Sequence, residues 1–179
     1  MGIHILWDTE APVGIELPVI RMIAMILGEE SELVEYPLLI DGYDRERNQH
    51  DAHKILDRLQ DTLTRRYDID GPLLFVTSRD LYIGGCDFVF GLARPRAGVA
   101  VVSTARLGND YYGRVPDDTD LIDRTAKEGA HELGHLLGLG HCSNPECVMF
   151  RPQTLDELDR KKKVLCPVCR EALAPLQEG

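Results

Sequence analysis

The stretch His131-Glu132-Leu133-Gly134-His135-Leu136-Leu137-Gly138-Leu139-Gly140-His141 constrains this chain more than any other. Four residues along an α-helix turn a side chain by only about 40° from its starting direction, so His131 and His135 face the same way, one turn apart. Two imidazoles so placed give the bite that a tetrahedral zinc needs from nitrogen ligands at about 2.0–2.1 Å, and Glu132 is carried to the edge of the same face. A third ligand has to come from beyond the helix. Gly138 can end the helix in a left-handed conformation that a residue with a Cβ adopts only at a cost, and the returning chain then brings His141 to the same point. Composition arithmetic gives H-E-x-x-H alone in roughly one such chain in 70, but the whole string with Gly138 and His141 in only a few in ~10⁵. The pattern therefore reads as a metal site.

Cysteine usage points to a second metal. Cys142 and Cys147, followed after eighteen intervening residues by Cys166-Pro-Val-Cys169, make two pairs whose spacing resembles a closed Cys₄ zinc site. Two disulfides or a pair of redox thiols compete with this reading. The five cysteines are an odd number in a chain without an export signal, and no βαβ pattern precedes the C-x-x-C. Seven ligands cannot serve one four-coordinate ion, so two zinc ions per chain are expected. His141 and Cys142 are neighbours and must point apart, one into the cleft and the other toward the tail. Cys86, the fifth cysteine, reads as an ordinary buried thiol.

The rest of the chain supplies a scaffold of the α/β class. Strands are expected over Ile3 to Trp7, Leu33 to Leu39, Leu73 to Thr77, Phe88 to Leu92 and Gly98 to Ser103. Helices are expected over Pro18 to Leu27, with proline in the first turn, and along the face Ala52, Ile55, Leu56, Leu59 and Leu63. The metal-bearing helix starts after Pro116-Asp117-Asp118-Thr119-Asp120, with Thr119 or Asp120 as its cap, and a short helix lies near Leu155 to Lys162. A length of 179 residues suits one domain, with residues 1–141 forming the sheet and metal-bearing helix and 142–179 a zinc-stapled tail. His50 and His53 have no further ligand at suitable spacing and read as plain surface residues.

Net charge and hydropathy narrow the partners. A formal charge of −10 argues against a nucleic-acid or anionic-membrane binder, and the basic cluster from Arg160 to Lys163 reads as a solvated helix face. The apolar run Val19 to Leu27 is too short to span a membrane, and the N-terminus shows neither a secretory leader nor a myristoylation signal. A cytoplasmic monomer is expected.

The histidine string followed at once by Cys142, Cys147, Met149 and Cys166-x-x-Cys169 resembles the archaemetzincins, a family of metzincin-type metallopeptidases. That resemblance is specific over residues 131 to 169. It implies a mixed sheet with an antiparallel edge strand covered by helices, a catalytic zinc on the H-E-x-x-H helix, and a second zinc on the four cysteines. It also implies a methionine beneath the site, which Met149 matches, and aminopeptidase-like activity in some members. Some metzincins carry a tyrosine two residues beyond this methionine. Here Arg151 stands there, and Tyr111 or Tyr112 are the tyrosines that could approach instead.

Three neutral imidazoles leave a zinc its full charge, lowering the pKa of a bound water from about 15.7 toward ~7 and polarising a substrate carbonyl. Glu132 is then the general base of peptide-bond hydrolysis. The alternative is a zinc-stabilised module that holds a peptide without cutting it, in which Glu132 has no use. An extended peptide is most simply held on a free sheet edge, and the run Gly98 to Ser103, nearest in sequence to the metal-bearing helix, is the expected edge.

Overall fold

The computed structural model describes residues 2–66 and 68–177; Met1 and residues 178–179, the ends of the expected domain, lie outside them. In chain order the elements are β1 (Ile3–Trp7), α1 (Glu16–Leu27), β2 (Ser31–Val34), β3 (Tyr43–Asp44), β4 (Gln49–Asp51), α2 (Ala52–Arg65), β5 (Leu73–Thr77), β6 (Leu81–Tyr82), β7 (Gly91–Arg94), β8 (Val99–Ser103), α3 (Asp118–Leu136), α4 (Leu155–Arg160) and α5 (Pro167–Gln177). The main sheet runs β2-β1-β5-β8-β7, with every neighbour parallel except the antiparallel pair β7 and β8. Three short strands, β3-β4-β6, form a separate small sheet.

The alternation of strand side chains divides the core in two. Ile3, Ile5, Leu74, Val76, Ala100 and Val102 face α1 and α3. Leu6, Leu73, Phe75, Val99 and Val101 face Ile55, Leu56 and Leu59 of α2. Helices on both faces explain why β5 and β8 read as unbroken apolar runs, as buried parallel strands do. Each fully buried aliphatic side chain here is worth about 1.5–3 kcal/mol. Gly129 lets α3 lie close to α1 and the sheet, since a Cβ there would come 3.0 Å from Ile23 Cδ1 and 3.1 Å from Leu74 Cδ2.

The tail shares the first of these cores. Cys147, Val148, Met149, Leu165, Cys166, Cys169 and Leu173 pack into the cluster formed by α1 and α3. Arg170 of α5 reaches α1, donating to the Ile26 carbonyl at 2.9 Å and the Leu27 carbonyl at 3.5 Å. A cation on the last carbonyls of a helix satisfies acceptors that have no partner within it.

The mixed sheet with an antiparallel edge strand is present as the resemblance implied, but its edge lies elsewhere than the sequence suggested. The run from Gly98 forms β8, hydrogen-bonded to β5 on one side and β7 on the other, so it is an interior strand. All five of its residues are buried, which is why the run is so apolar. The edge is β7. The strand expected over Phe88 to Leu92 begins later, at Gly91, with Val89 held to Leu81 by an isolated bridge. Of the strand expected over Leu33 to Leu39, pairing extends only to Val34. Tyr36, Leu38 and Ile40 instead pack against the α2 side of the core without joining the ladder. Among the described residues, no helix is long and apolar enough to cross a membrane.

Candidate active site and metal centres

α3 starts two or three residues earlier than its expected caps. Asp117 is the N-cap, and its carboxylate accepts from the amides of Thr119 at 2.7 Å and Asp120 at 3.3 Å. The helix is buried from Arg124 to Gly134 and ends at Leu136, with Leu137 as its C-cap. Gly138 follows with φ +90°, the left-handed turn its position called for. The Leu139 amide donates to the Gly134 carbonyl and the Gly138 amide to the His135 carbonyl, closing the helix end as a Schellman motif.

This turn delivers His141. The side-chain ligand atoms of His131, His135 and His141 lie within 4.8 Å of one another. His131 Nδ1 lies 2.9 Å from the Val148 carbonyl and His135 Nδ1 lies 2.8 Å from the Leu139 carbonyl. A carbonyl only accepts, so each Nδ1 carries the proton and each Nε2 presents a lone pair. Those two Nε2 atoms are 3.2 Å apart. Two lone pairs at that distance repel unless a cation lies between them, and tetrahedral zinc would set them at about 3.4 Å. The donors therefore fit zinc. Burial, with the charge of Lys161 adding to it, pushes His131 down to about 2, which keeps it in the neutral form a ligand needs.

Met149 lies fully buried against the floor. A Cβ on Gly134 would fall on the Met149 sulfur, so the glycine inside H-E-x-x-H is what lets the methionine lie against the helix between the two histidines. The backbone of Met149 also fixes His141, because its carbonyl accepts from the Cys142 amide at 2.9 Å.

Cys142, Cys147, Cys166 and Cys169 form the second group, with none of them disulfide-bonded and all four Sγ atoms within 4.8 Å of one another. Cys142 and Cys166 Sγ are 3.7 Å apart, close to the ~3.8 Å that tetrahedral Zn–S bonds of about 2.3 Å imply. Backbone amides of Asn144 and Cys166 point at the sulfurs of Cys142 and Cys147, as donors around a thiolate site do. The Cys169 amide leads the causes that draw Cys166 down to about 7, whereas burial raises Cys147 and Cys169. A metal on this group would tie the tail to the end of α3.

The histidines open onto a cleft of about 580 Å³, walled by β7 with the segment before it and by Arg151, Pro152 and Gln153. The Ser103 amide donates to the Phe90 carbonyl, and antiparallel alternation then turns the peptide groups of Gly91 and Ala93 away from β8. Among the described residues β7 has no strand on its other side, which leaves a free edge beside Glu132. A Cβ on Gly91 would come 2.8 Å from Glu132 Oε1 and 2.7 Å from the Val101 carbonyl, so the missing side chain makes room for the carboxylate.

The matching family model settles the class. Peptidase family M54 covers residues 29–175. The chain belongs to that family. Among M54 relatives, the archaemetzincin of Sulfolobus acidocaldarius is 38% identical over 156 residues, 86% of either chain. The crystal structure of a zinc-dependent peptidase from Methanocorpusculum labreanum superposes with a TM-score of 0.90 at 45% identity, covering 96% of this chain and 100% of that one. The archaemetzincin of Methanopyrus kandleri gives 0.83 at 34%, covering 100% and 96%. The M54 chain is thus a zinc metallopeptidase, a hydrolase acting on peptide substrate.

Several site features of this M54 peptidase escape its motif. Glu128, one turn before Glu132, lines the cleft and is held by Lys161 Nζ at 2.6 Å, with the side chains of the pair 3% and 0% exposed. Lys161 corrects the expectation of a solvated basic face, since it follows the last residue of α4 and turns inward where its neighbours do not. Lys127 secures that turn by donating to the carbonyls of Leu158 at 3.0 Å and Lys161 at 3.1 Å, and Arg124 pairs with Asp159. Burial first, and Glu128 second, raise Glu132 well above the usual carboxylate range. Cys86 is half-buried at the cleft wall, not fully buried as expected. Tyr111 and Tyr112 do not line the cleft; the Tyr112 hydroxyl donates to the Arg106 carbonyl instead. His53 is exposed as expected, whereas His50 is half-buried in β4.

Proposed function

We propose that this M54 peptidase hydrolyses peptides at a zinc held by His131, His135 and His141, with Glu132 as general base, and that Cys142, Cys147, Cys166 and Cys169 hold a second, structural zinc. The convergence of the His131 and His135 Nε2 atoms, 3.2 Å apart with both Nδ1 atoms committed to carbonyls, carries this assignment. A zinc bound there supplies an acidified water and polarises the scissile carbonyl. Glu132 accepts the water proton during attack on the carbonyl carbon and passes it to the departing amine nitrogen as the C–N bond breaks. The outward peptide groups of Gly91 and Ala93 pair with the extended substrate and hold its scissile bond over the histidines. Met149 holds the ligand-bearing helix from below by packing alone. The tail and the α3 subdomain act as one unit, the cysteine site fixing the segment that presents His141.

Aminopeptidase-like cleavage requires a carboxylate that holds the substrate's α-ammonium. Besides the general base Glu132, two line the cleft, and Glu128 is already held by Lys161, which leaves Asp87 for that role.

Native mass spectrometry of protein purified without chelator should show two zinc ions per chain. Brief chelation should remove one of them first, the histidine-bound ion whose fourth position is open. A single zinc that stays with the cysteines even after zinc is added back would contradict the assignment.

A further inference from the structure

Among the charged side chains that line the cleft, Glu128 is neutralised by Lys161, and Arg151 is the Lys or Arg that remains. Its guanidinium has no hydrogen-bond or ion-pair partner among the described residues, unlike Arg47, Arg79, Arg94, Arg106 and Arg124, which are all held. Its backbone, by contrast, is fixed. Arg151 precedes Pro152, which is buried, and a residue before proline is confined to extended conformations. On one side Met149 anchors the segment beneath the histidines. On the other, the Gln153 amide donates to Glu157 at 2.6 Å while Thr154 caps α4. Arg151 lines the same cleft as His131, Glu132, His135 and His141, so the free guanidinium stands at the wall of the reaction site.

A planar cation with five donors, mounted on a fixed backbone and without an internal partner, matches a carboxylate bidentately. We propose that Arg151 is a specificity residue that binds a carboxylate of the peptide, supplied either by an acidic side chain near the scissile bond or by the peptide's own C-terminus. This deepens the peptidase assignment and rests on it for the placement of the peptide. The zinc and Arg151 would then give this acidic chain a cleft suited to anionic peptides, against its overall charge of −10.

A matched series tests this: neutral peptides, and the same peptides with one Glu walked through the positions around the cleaved bond, each as free acid and as C-terminal amide. With the zinc-loaded enzyme, kcat/KM should rise about ten- to a hundredfold for peptides that place a carboxylate correctly, the range of a charge-assisted hydrogen bond. Arg151→Gln should flatten that preference while neutral C-terminal amides, which carry neither carboxylate, change less than about threefold, and Arg151→Lys should keep part of it. A preference that survives C-terminal amidation assigns the carboxylate to a side chain, and one that vanishes with it assigns the terminus. A wild-type enzyme indifferent both to the placed Glu and to C-terminal amidation, or an Arg151→Gln loss equal on peptides with and without the preferred carboxylate, would overturn the proposal. Binding of the same peptides to zinc-loaded Glu132→Gln, read by fluorescence anisotropy, separates the two claims. Arg151-dependent binding without turnover by wild type would sink the peptidase assignment alone, and turnover indifferent to both the placed Glu and C-terminal amidation would sink the Arg151 assignment alone.

Discussion

Glu132→Gln is expected to lower kcat by about 10²–10⁴-fold, the usual worth of a positioned general base, while both zinc ions stay bound. The amide is nearly isosteric with the carboxylate, so it fits the same space beside Gly91, where a Cβ would already come 2.8 Å from Glu132 Oε1. What it loses is the ability to accept the water proton and return it to the leaving amine. Steady-state kinetics beside metal analysis read the two quantities separately. Undiminished kcat would remove Glu132 from the mechanism, and a loss of activity that tracks a loss of zinc would make it a support for the metal site instead.

Cys166→Ser is expected to act through stability. Cys166 stands just before α5 and is buried with Cys147 and Cys169 in the core that α1 and α3 share. A structural zinc contributes its binding energy to the folded state, and replacing one thiolate largely forfeits it. For a chain of this size, a loss of about 3 kcal/mol lowers Tm by roughly 6–12 °C. Thermal unfolding should show that drop together with one zinc fewer per chain. His141 should also become mobile, because Cys142 beside it is tied to the same sulfur cluster. An unchanged Tm and full zinc content would mean that the four cysteines do not form one closed site.

The parts legible in the sequence were those with local causes. The two histidines four apart, the glycine at +90° after them and the cysteine pairs declare themselves because spacing along a helix or a tight turn fixes where the side chains go. The edge strand did not. β7 spans four residues containing Gly91 and Ala93, small because α3 passes beneath them, so it carries little strand signal, while the strongly apolar β8 drew the edge assignment to a strand that is apolar because it is interior. Lys161 is hidden in the sequence for a related reason. Within Arg160 to Lys163 nothing local distinguishes the lysine that turns inward, and its partner Glu128 lies 33 residues away in sequence. The small β3-β4-β6 sheet, with strands of two or three residues, is too short for any periodicity to reveal.

The most direct test of the account is zinc-dependent turnover of a mixed peptide library, followed by mass spectrometry. The protein is first stripped of its loosely held metal and then given zinc back. Cleavage should disappear on stripping, return with about one equivalent of zinc, and fail to return in Glu132→Gln. A protein carrying zinc at both sites that binds peptides but leaves every one of them intact would contradict it, and would make the cleft a binding groove.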